Sequence, residues 1–264
     1  MLLVDRKLCD SRQQAQRLIR AGAVTVNQQL VDKPGTVINE AAVVELKQRS
    51  PFVSRGGEKL AKALNTFRIK VHDRICLDGG ISTGGFTDCL LQAGAKQVYG
   101  IDVGYGQVAW SLRTDPRVIL KERTNIRPLH QQDLYLPDQL RPDLGVVDVS
   151  FISLTKILPA LERLLEPPKE LILLVKPQFE VGRSQIGKHG VVRDPEAQTA
   201  AIAQVLKAAQ ELSWNGSGLT WSPLLGPAGN MEFLLWLSLK DSATLPNPEL
   251  IVQQAHQQLL ANRE

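Results

Sequence analysis

Ile75-Cys-Leu-Asp-Gly-Gly-Ile-Ser-Thr-Gly-Gly-Phe-Thr-Asp88 decides how the chain is read. Its apolar start predicts a buried strand over residues 74–77, with Asp78 where the strand ends. The glycines between Asp78 and Phe86 allow a sharp turn and close backbone approach to a ligand. A helix is expected from about Gly84, capped by Ser82 or Thr83 and running through Leu90, Leu91 and Ala93 to Gly94. Gln97-Val-Tyr-Gly-Ile-Asp102 follows as a second strand with an acid at its tip. Strand, glycine loop, helix, strand, acid is the layout of a nucleoside-binding βαβ unit. The second acid suits ribose hydroxyls, which donate hydrogen bonds.

The loop excludes two common ligand classes. Gly80 is not followed by glycines at the dinucleotide spacing, and no Gly-Lys-Ser/Thr marks a phosphate loop. An acid leading into the loop suits a cation better than a pyrophosphate. S-adenosylmethionine is such a cofactor, with a sulfonium and an amino group. On the loop alone, an ordinary glycine-rich βα turn stays open as the plainer reading.

A chain of 264 residues has room for one large or two unequal domains. Its 43% hydrophobic and 22% charged residues are an ordinary globular balance. No apolar run approaches the roughly 18 residues that a membrane span needs. Met1-Leu-Leu-Val-Asp-Arg-Lys7 has no long apolar core, so no signal peptide is expected. Cys9, Cys76 and Cys89 have no paired or metal-ligand spacing, which suits a reduced, cytoplasmic chain. The four histidines are scattered, and no metal site is expected. The net charge of +4 lies entirely in residues 1–60, with ten Lys+Arg against six Asp+Glu; residues 61–264 hold 21 of each. A small basic module beside a neutral domain suits a polyanion reader attached to something else.

The basic segment has its own pattern. Ser11-Arg-Gln-Gln-Ala-Gln-Arg-Leu-Ile-Arg-Ala-Gly22 predicts a short helix, with Ser11 and Gln14 as a capping box and Gly22 as the stop. Ala15, Leu18 and Ile19 share its apolar side. Arg12, Arg17 and Arg20 lie on the opposite face with no acid, which suits a row of phosphates. Short strands are expected at Ala23-Val-Thr-Val-Asn27, Gln29-Leu-Val31 and Ala42-Val-Val-Glu-Leu46. Asn27-Gln-Gln29 and Lys33-Pro-Gly35 mark the turns. Ser11-Arg12, Gln14-Ala15, Ile19, Gly22, Val24, Val26-Asn27 and Pro34-Gly35 make residues 1–47 resemble the S-four-type RNA-binding module. That resemblance implies contact between the arginine face and structured RNA. Gln48-Arg-Ser-Pro-Phe-Val-Ser54 reads as a linker, and residues 55–264 as the second domain.

Beyond the linker a helix is expected to about Phe67, with Lys59 in its first turn. Taken alone, Lys59 reads more readily as a solvated surface lysine. Asp102-Val-Gly-Tyr-Gly-Gln107 is a loop before a helix near residues 108–112, and Val118-Ile-Leu-Lys-Glu122 is a third strand. Arg123-Thr-Asn-Ile-Arg127 is a loop beside the ligand cleft in this topology. Leu144-Gly-Val-Val-Asp-Val-Ser150 is a fourth strand, and Glu170-Leu-Ile-Leu-Leu-Val-Lys-Pro177 is a fifth, apolar enough to be buried on both faces. Residues 157–165, 195–212 and 248–260 are expected helices. Residues 178–194 form a glycine-containing loop with Arg183, Lys188, His189 and Arg193, which suits either RNA phosphates or plain solvation. Strands at 219–225 and 232–239 complete a doubly wound sheet of about seven strands.

Four charges stand where this topology converges. Asp148 and Lys176 end neighbouring strands, Glu232 opens a last strand expected to run antiparallel, and Lys59 precedes the first strand. Two lysines and two acids on one cleft point to function, because burying them otherwise costs free energy. Six motifs make the whole chain resemble the TlyA family. They are Ser54-Arg-Gly-Gly-Glu-Lys-Leu60, Ser82-Thr-Gly-Gly-Phe-Thr-Asp88, Asp102-Val-Gly-Tyr-Gly-Gln107, Asp148-Val-Ser-Phe-Ile-Ser153, Val175-Lys-Pro-Gln-Phe-Glu180 and Gly229-Asn-Met-Glu232. The TlyA family comprises ribosomal RNA 2′-O-methyltransferases with a Rossmann-like domain akin to FtsJ.

The resemblance implies a mainly parallel seven-stranded α/β sheet with its last strand antiparallel, S-adenosylmethionine as cofactor, and ribosomal RNA or ribosomal subunits as partner. Lys59, Asp148, Lys176 and Glu232 match the family's Lys-Asp-Lys-Glu tetrad. Cofactor contacts are expected at Asp78, Gly80, Ser82, Thr83, Gly84, Gly85, Phe86, Asp102, Val103 and Asn125. RNA contacts are expected at Arg12, Arg17, Arg20, Arg55, Arg183 and Lys188. Two departures stand out: Ile81 is expected to crowd the cofactor loop and Gly79 to loosen it. Ribose methylation needs a poor nucleophile to lose or share its proton during in-line attack, and Lys176 is the candidate base or orienting group. Burial beside Lys59 would favour a neutral lysine, whereas Asp148 and Glu232 would oppose full neutralisation. The competing readings are a membrane-active haemolysin, for which no insertion element is present, a non-catalytic RNA-binding or assembly factor, and a base methyltransferase. The last lacks its usual Asn/Asp-Pro-Pro-aromatic motif.

Overall fold

A computed structural model describes residues 2–20, 22–46, 50–240 and 245–261. They form two compact units, Met1–Pro51 and Phe52–Glu264.

The smaller unit has α1 (Leu2–Asp5), α2 (Arg12–Arg20) and an antiparallel sheet of β1 (Val24–Val26), β2 (Gln29–Leu30) and β3 (Val44–Leu46) in the order β2-β1-β3. Ser11 Oγ accepts the Gln14 N–H at 3.2 Å, as expected of a capping residue. Gln14 Oε1 reaches back to the Asp10 N–H at 3.0 Å, one residue earlier than the expected box requires. Asn27 and Gln28 both have positive φ, 49° and 66°, which is the hairpin turn whose twist matches its strands. Leu3, Cys9, Ala15 and Val24 form the small core. Ala21, inside the expected helix, and positions 48 and 49 of the expected linker lie outside the described residues.

The larger unit alternates strands and helices in chain order. After α3 (Gly56–Phe67) come β4 (Ile75–Gly79), α4 (Gly85–Gln92), β5 (Gln97–Ile101), α5 (Trp110–Arg113), β6 (Val118–Lys121), α6 (Gln131–Leu134) and β7 (Leu144–Val147). Then follow α7 (Leu158–Leu164), β8 (Glu170–Val175), α8 (Pro177–Glu180), α9 (Pro195–Gln210), β9 (Asn215–Trp221), β10 (Phe233–Ser238) and α10 (Pro248–Ala261). The seven strands lie in the order β6-β5-β4-β7-β8-β10-β9. Strands β4 to β8 pair in parallel, and β10 runs antiparallel to both its neighbours.

Period-two alternation splits the strand side chains between two faces. Leu77, Val147, Leu173 and Leu235 pack with α7, α9 and α10, while Cys76, Val146, Ile172 and Leu234 pack with α3 and α4. At the amino ends of the strands, Arg74 Nε lies 2.8 Å from Asp143 and its Nη1 lies 2.5 Å from Glu170. That fork fastens the starts of β4, β7 and β8 together.

Several expected boundaries move for physical reasons. The expected linker extends to residue 54, yet Phe52 packs on the α3–α4 core and the Val53 N–H bonds Asp88 Oδ2 at 2.7 Å. Neither Ser82 nor Thr83 caps α4. Gly84 does, at φ 98°, because the Ser82 N–H is drawn to Asp102 Oδ2 at 2.8 Å and Ser82 itself sits at φ 50°. The strand expected at 219–225 runs instead over Asn215–Trp221. Its polar start escapes an apolar reading because it is an edge strand, paired only with β10. Pro177 starts the short α8 where a loop was expected, its fixed φ suiting a first helical position.

Asp78 is fully buried within β4. Its Oδ2 accepts the Thr87 hydroxyl at 2.7 Å, and its Oδ1 has no hydrogen-bond partner among the described residues. Burial pushes the carboxyl up to about 7, against the downward pull of the Thr87 bond. The folded state therefore holds this proton more tightly than the unfolded chain, whose aspartates titrate near ~3.9. The stabilisation is present below that value and is lost as pH rises through about 7. Urea unfolding from pH 5 to 8 is expected to show the wild type losing about 1–4 kcal/mol relative to Asp78→Asn. Parallel stability curves for the two proteins would contradict this.

Candidate active site

The carboxyl ends of the parallel strands gather the polar residues. Asp102 follows β5, Asp148 follows β7 and Lys176 follows β8. Phe233 pairs with Val175 in antiparallel register, so Glu232, just before β10, arrives at the same sheet edge as Lys176. α3 brings Lys59 over that edge. It does so by packing its amino end backbone to backbone on α4: a Cβ on Gly85 would lie 2.9 Å from the Gly57 nitrogen and 2.3 Å from Ser54 Oγ.

The four charges form two ion pairs. Lys59 Nζ lies 2.5 Å from Glu232 Oε2, and both residues are buried. Lys176 Nζ lies 2.7 Å from Asp148 Oδ1, an ion pair rather than an aligned hydrogen bond, and donates to Ser150 Oγ at 2.9 Å. Lys59 and Asp148 line one cleft together, so the two pairs share a wall. The solvated reading of Lys59 is overturned, since only 9% of the residue is exposed. Each ammonium has one carboxylate, in keeping with the expectation that Asp148 and Glu232 oppose full neutralisation of the lysines.

Two clefts meet at Gly80, Ser82 and Asp148. The first contains Ser54, Arg55, Gly56, Thr83, Gly85, Phe86 and the loop residues Leu224, Leu225 and Pro227. The second, of about 480 Å³, contains Asp102, Val103, Gln107, Asn125 and the apolar Ile101, Ile126, Ile152 and Ile157. A mostly apolar slot with a few placed polar groups, of that size, suits a nucleoside. Gly80 is required at their junction: it has φ 89°, and a Cβ there would lie 2.5 Å from the Asp148 carbonyl. Asp102 accepts Ser82 N–H at 2.8 Å and Gly104 N–H at 2.7 Å, and each oxygen retains acceptor capacity for ribose hydroxyls. Asn125 Oδ1 accepts the Arg127 N–H at 3.0 Å, which sets its orientation in the cleft wall.

Of the residues expected to hold a cofactor, Gly80, Ser82, Thr83, Gly85, Phe86, Asp102, Val103 and Asn125 line these clefts, whereas Asp78 and Gly84 do not. Asp78 lies below the loop on Thr87. Gly84 faces Leu112, whose Cδ1 would stand 2.2 Å from an added Cβ. Both departures are packed inward, although Ile81 also lines the first cleft. Ile81 is buried, with its Cδ1 in the space a Cβ on Gly100 would need, at 2.5 Å. Gly79 is a buried strand residue between Ile126 and Val147.

The cations expected to meet RNA are solvent-facing within their own units. Arg12, Arg17 and Arg20 are exposed on α2, while Arg55, Arg183 and Lys188 are exposed in the larger unit. The loop bearing Lys188 is tied beneath by Asn230, which accepts Val192 N–H and donates to the Gly190 carbonyl, both at 2.9 Å. Among the described residues no group of histidine, cysteine and acidic side chains could hold a metal, and no helix is long and apolar enough to cross a membrane.

Sequence reasoning missed Ser150, Gln107, Thr124 and the Ser222–Gly229 loop that closes the first cleft. Ser150 carried a usable signal, standing two residues after Asp148 on an extended segment, where side chains share a face. The loop carried none, because its role depends on how β9 and β10 are placed.

Comparison with known proteins agrees with this geometry. Residues 52–239 match the FtsJ-like methyltransferase family and residues 1–44 match the S4 domain. The 16S/23S rRNA (cytidine-2′-O)-methyltransferase TlyA of Mycobacterium tuberculosis is 47% identical over 92% of this chain and 90% of its own. Hemolysin A of Brachyspira hyodysenteriae is 40% identical over 85% of this chain and 92% of its own. A solved structure described as a candidate hemolysin from Streptococcus thermophilus is 41% identical and superposes with a TM-score of 0.78 over 99% of this chain and 96% of that one. Paired lysines and acids, nucleoside-sized cleft and sequence likeness over nearly the full length lead to one assignment: the chain belongs to the TlyA family of FtsJ-like, S-adenosylmethionine-dependent methyltransferases, with an S4 domain at its amino end.

Proposed function

We propose that this protein methylates ribose 2′-hydroxyls of cytidines in small- or large-subunit ribosomal RNA, in the cytoplasm. Residues 1–47 act as the RNA-binding module, 48–51 as its connection, and 52–264 as the methyltransferase domain. The observation that carries the reading is the pair of lysine–carboxylate contacts on a wall shared with a nucleoside-sized cleft. The cation-rich α2 face, with Arg55, Arg183 and Lys188 on the larger unit, supports a polyanionic substrate.

S-adenosylmethionine supplies an electrophilic methyl on a sulfonium when bound. Gly80, Ser82, Thr83, Gly85, Phe86, Val103 and Asn125 form its walls, and Asp102 takes the ribose. Lys176 directs the substrate hydroxyl. An ammonium has three donors; one goes to Ser150 and the ion pair with Asp148 holds the group in place, so donor capacity remains for the 2′-oxygen. Lys176 can pass a proton to Asp148 as it takes the hydroxyl's, so the pair as a whole acts as base while the oxygen attacks. Glu232 fixes Lys59 beside this pair and offsets its charge. Holding oxygen and methyl at near-attack distance supplies the larger share of the acceleration, as intramolecular reactions show.

The direct test is to map 2′-O-methyl groups in ribosomal RNA from cells with and without the protein. A cytidine modified only in its presence is the expected result, and identical maps would end the proposal. Lys176→Ala is expected to cut methyl transfer by about 10²–10⁴-fold while calorimetry shows cofactor binding retained. Substantial residual transfer would remove Lys176 from its assigned role. Lys59→Met leaves Glu232 buried without its cation and should cost about 3–5 kcal/mol of stability. The double variant Lys59→Met/Glu232→Leu should regain most of that stability without regaining activity. Recovery of methylation in the double variant would show that the pair is purely structural.

A further inference from the structure

The rim of the cofactor cleft carries exposed aromatics that the chemistry above does not use. Tyr105 is 64% exposed and Trp110 is 76% exposed, and neither lines either cleft, although Asp102, Val103 and Thr124 beside them do. Arg123, from the turn after β6, holds its guanidinium 4.2 Å from the centre of the Tyr105 ring. Its backbone sits at φ 53°, in the left-handed region where a side chain other than glycine is strained.

The ring is presented on a fastened loop. Gly104 N–H bonds Asp102 Oδ1 at 2.7 Å, Arg123 N–H bonds the Gly104 carbonyl at 3.0 Å, and Gly106 N–H bonds Glu122 Oε1 at 2.7 Å. Arg113 grips Glu122 with two bonds of 2.6 and 2.9 Å, so the acid nearest in sequence already has its cation. Among the described residues Arg123 has no carboxylate at ion-pair distance, and Lys121 beside it is exposed. An open aromatic face backed by a guanidinium that has no carboxylate at ion-pair distance among the described residues fits one kind of occupant well. A nucleobase stacks on either plane, and the remaining guanidinium donors meet the adjoining phosphate.

We propose that Tyr105 and Arg123 form a stacking site for an unpaired nucleotide of the RNA substrate, on the rim of the cofactor cleft. The proposal rests on the reading of ribosomal RNA as substrate. The site belongs to the methyltransferase unit and uses residues other than the arginines of the S4 domain, so it would hold an unpaired base of the substrate strand at the cofactor rim. Because stacking needs only a π-face, the site tolerates sequence variation in the flanking base.

The test uses the full chain with deproteinised small- and large-subunit ribosomal RNA as probe, and compares the wild type with Tyr105→Ala, Tyr105→Phe and Arg123→Gln. Thermal melting first confirms that each variant is folded. Tyr105→Ala is expected to raise KM for RNA about tenfold, with kcat and the calorimetric Kd for S-adenosylmethionine unchanged. Tyr105→Phe, which keeps the ring, should restore wild-type KM. Arg123→Gln should weaken RNA binding and lower its salt slope by about one. An unchanged KM in Tyr105→Ala overturns the proposal, as does a loss confined to cofactor affinity, which would make the loop a lid on the cofactor. Wild-type protein that neither binds nor methylates either RNA overturns the substrate reading as well.

Discussion

The Lys59–Glu232 ion pair joins residues 173 positions apart and lies almost wholly out of solvent. Removing two charges from water is expensive, and such a pair returns little or no net stability over apolar residues of the same volume. The fold accommodates it because every element around it is fixed by something else. α3 is set by its glycine contact with α4 and by Leu60, Ala63 and Leu64 in the core. β10 is set by six register partners on β8. The charges are thus consequences of a scaffold already determined by apolar packing, and their retention in a cleft wall points to chemistry.

Around that pair the sheet works as a positioning device. Parallel strands buried on both faces deliver Asp102, Asp148 and Lys176 to one edge, and one reversed strand brings Glu232 to the same edge from the opposite direction. The Arg74–Asp143–Glu170 fork at the far end holds three of those strands in step. The site is therefore spread over the whole domain in sequence and gathered at one rim in space, as expected for open α/β sheets.

Sequence alone made the strands readable where burial on both faces demands continuous apolar runs, as in Glu170-Leu-Ile-Leu-Leu-Val175. The seven-stranded sheet, its antiparallel member and the cofactor type were all accessible from motifs. Other features were not, because the deciding partner is remote in the chain. Ser82 has the chemistry of a cap but spends its N–H on Asp102, twenty residues on. Ile81 places its Cδ1 where only a glycine at position 100, on the next strand, leaves room. Asp78 looked like a ligand contact, yet Thr87 draws it inward. Lys59 looked like a surface charge because nothing local announces Glu232.

The close meeting of Gly57 and Gly85 has a consequence for how the rim responds to its surroundings. Forces between charges weaken with added salt, and apolar association weakens on cooling. A separation set by atomic radii does neither, because it is a floor and not a balance. The lysine-bearing helix and the cofactor loop are held at that floor, so warming, cooling or ionic strength can alter how strongly RNA adheres while leaving the spacing between the two working parts of the enzyme nearly constant.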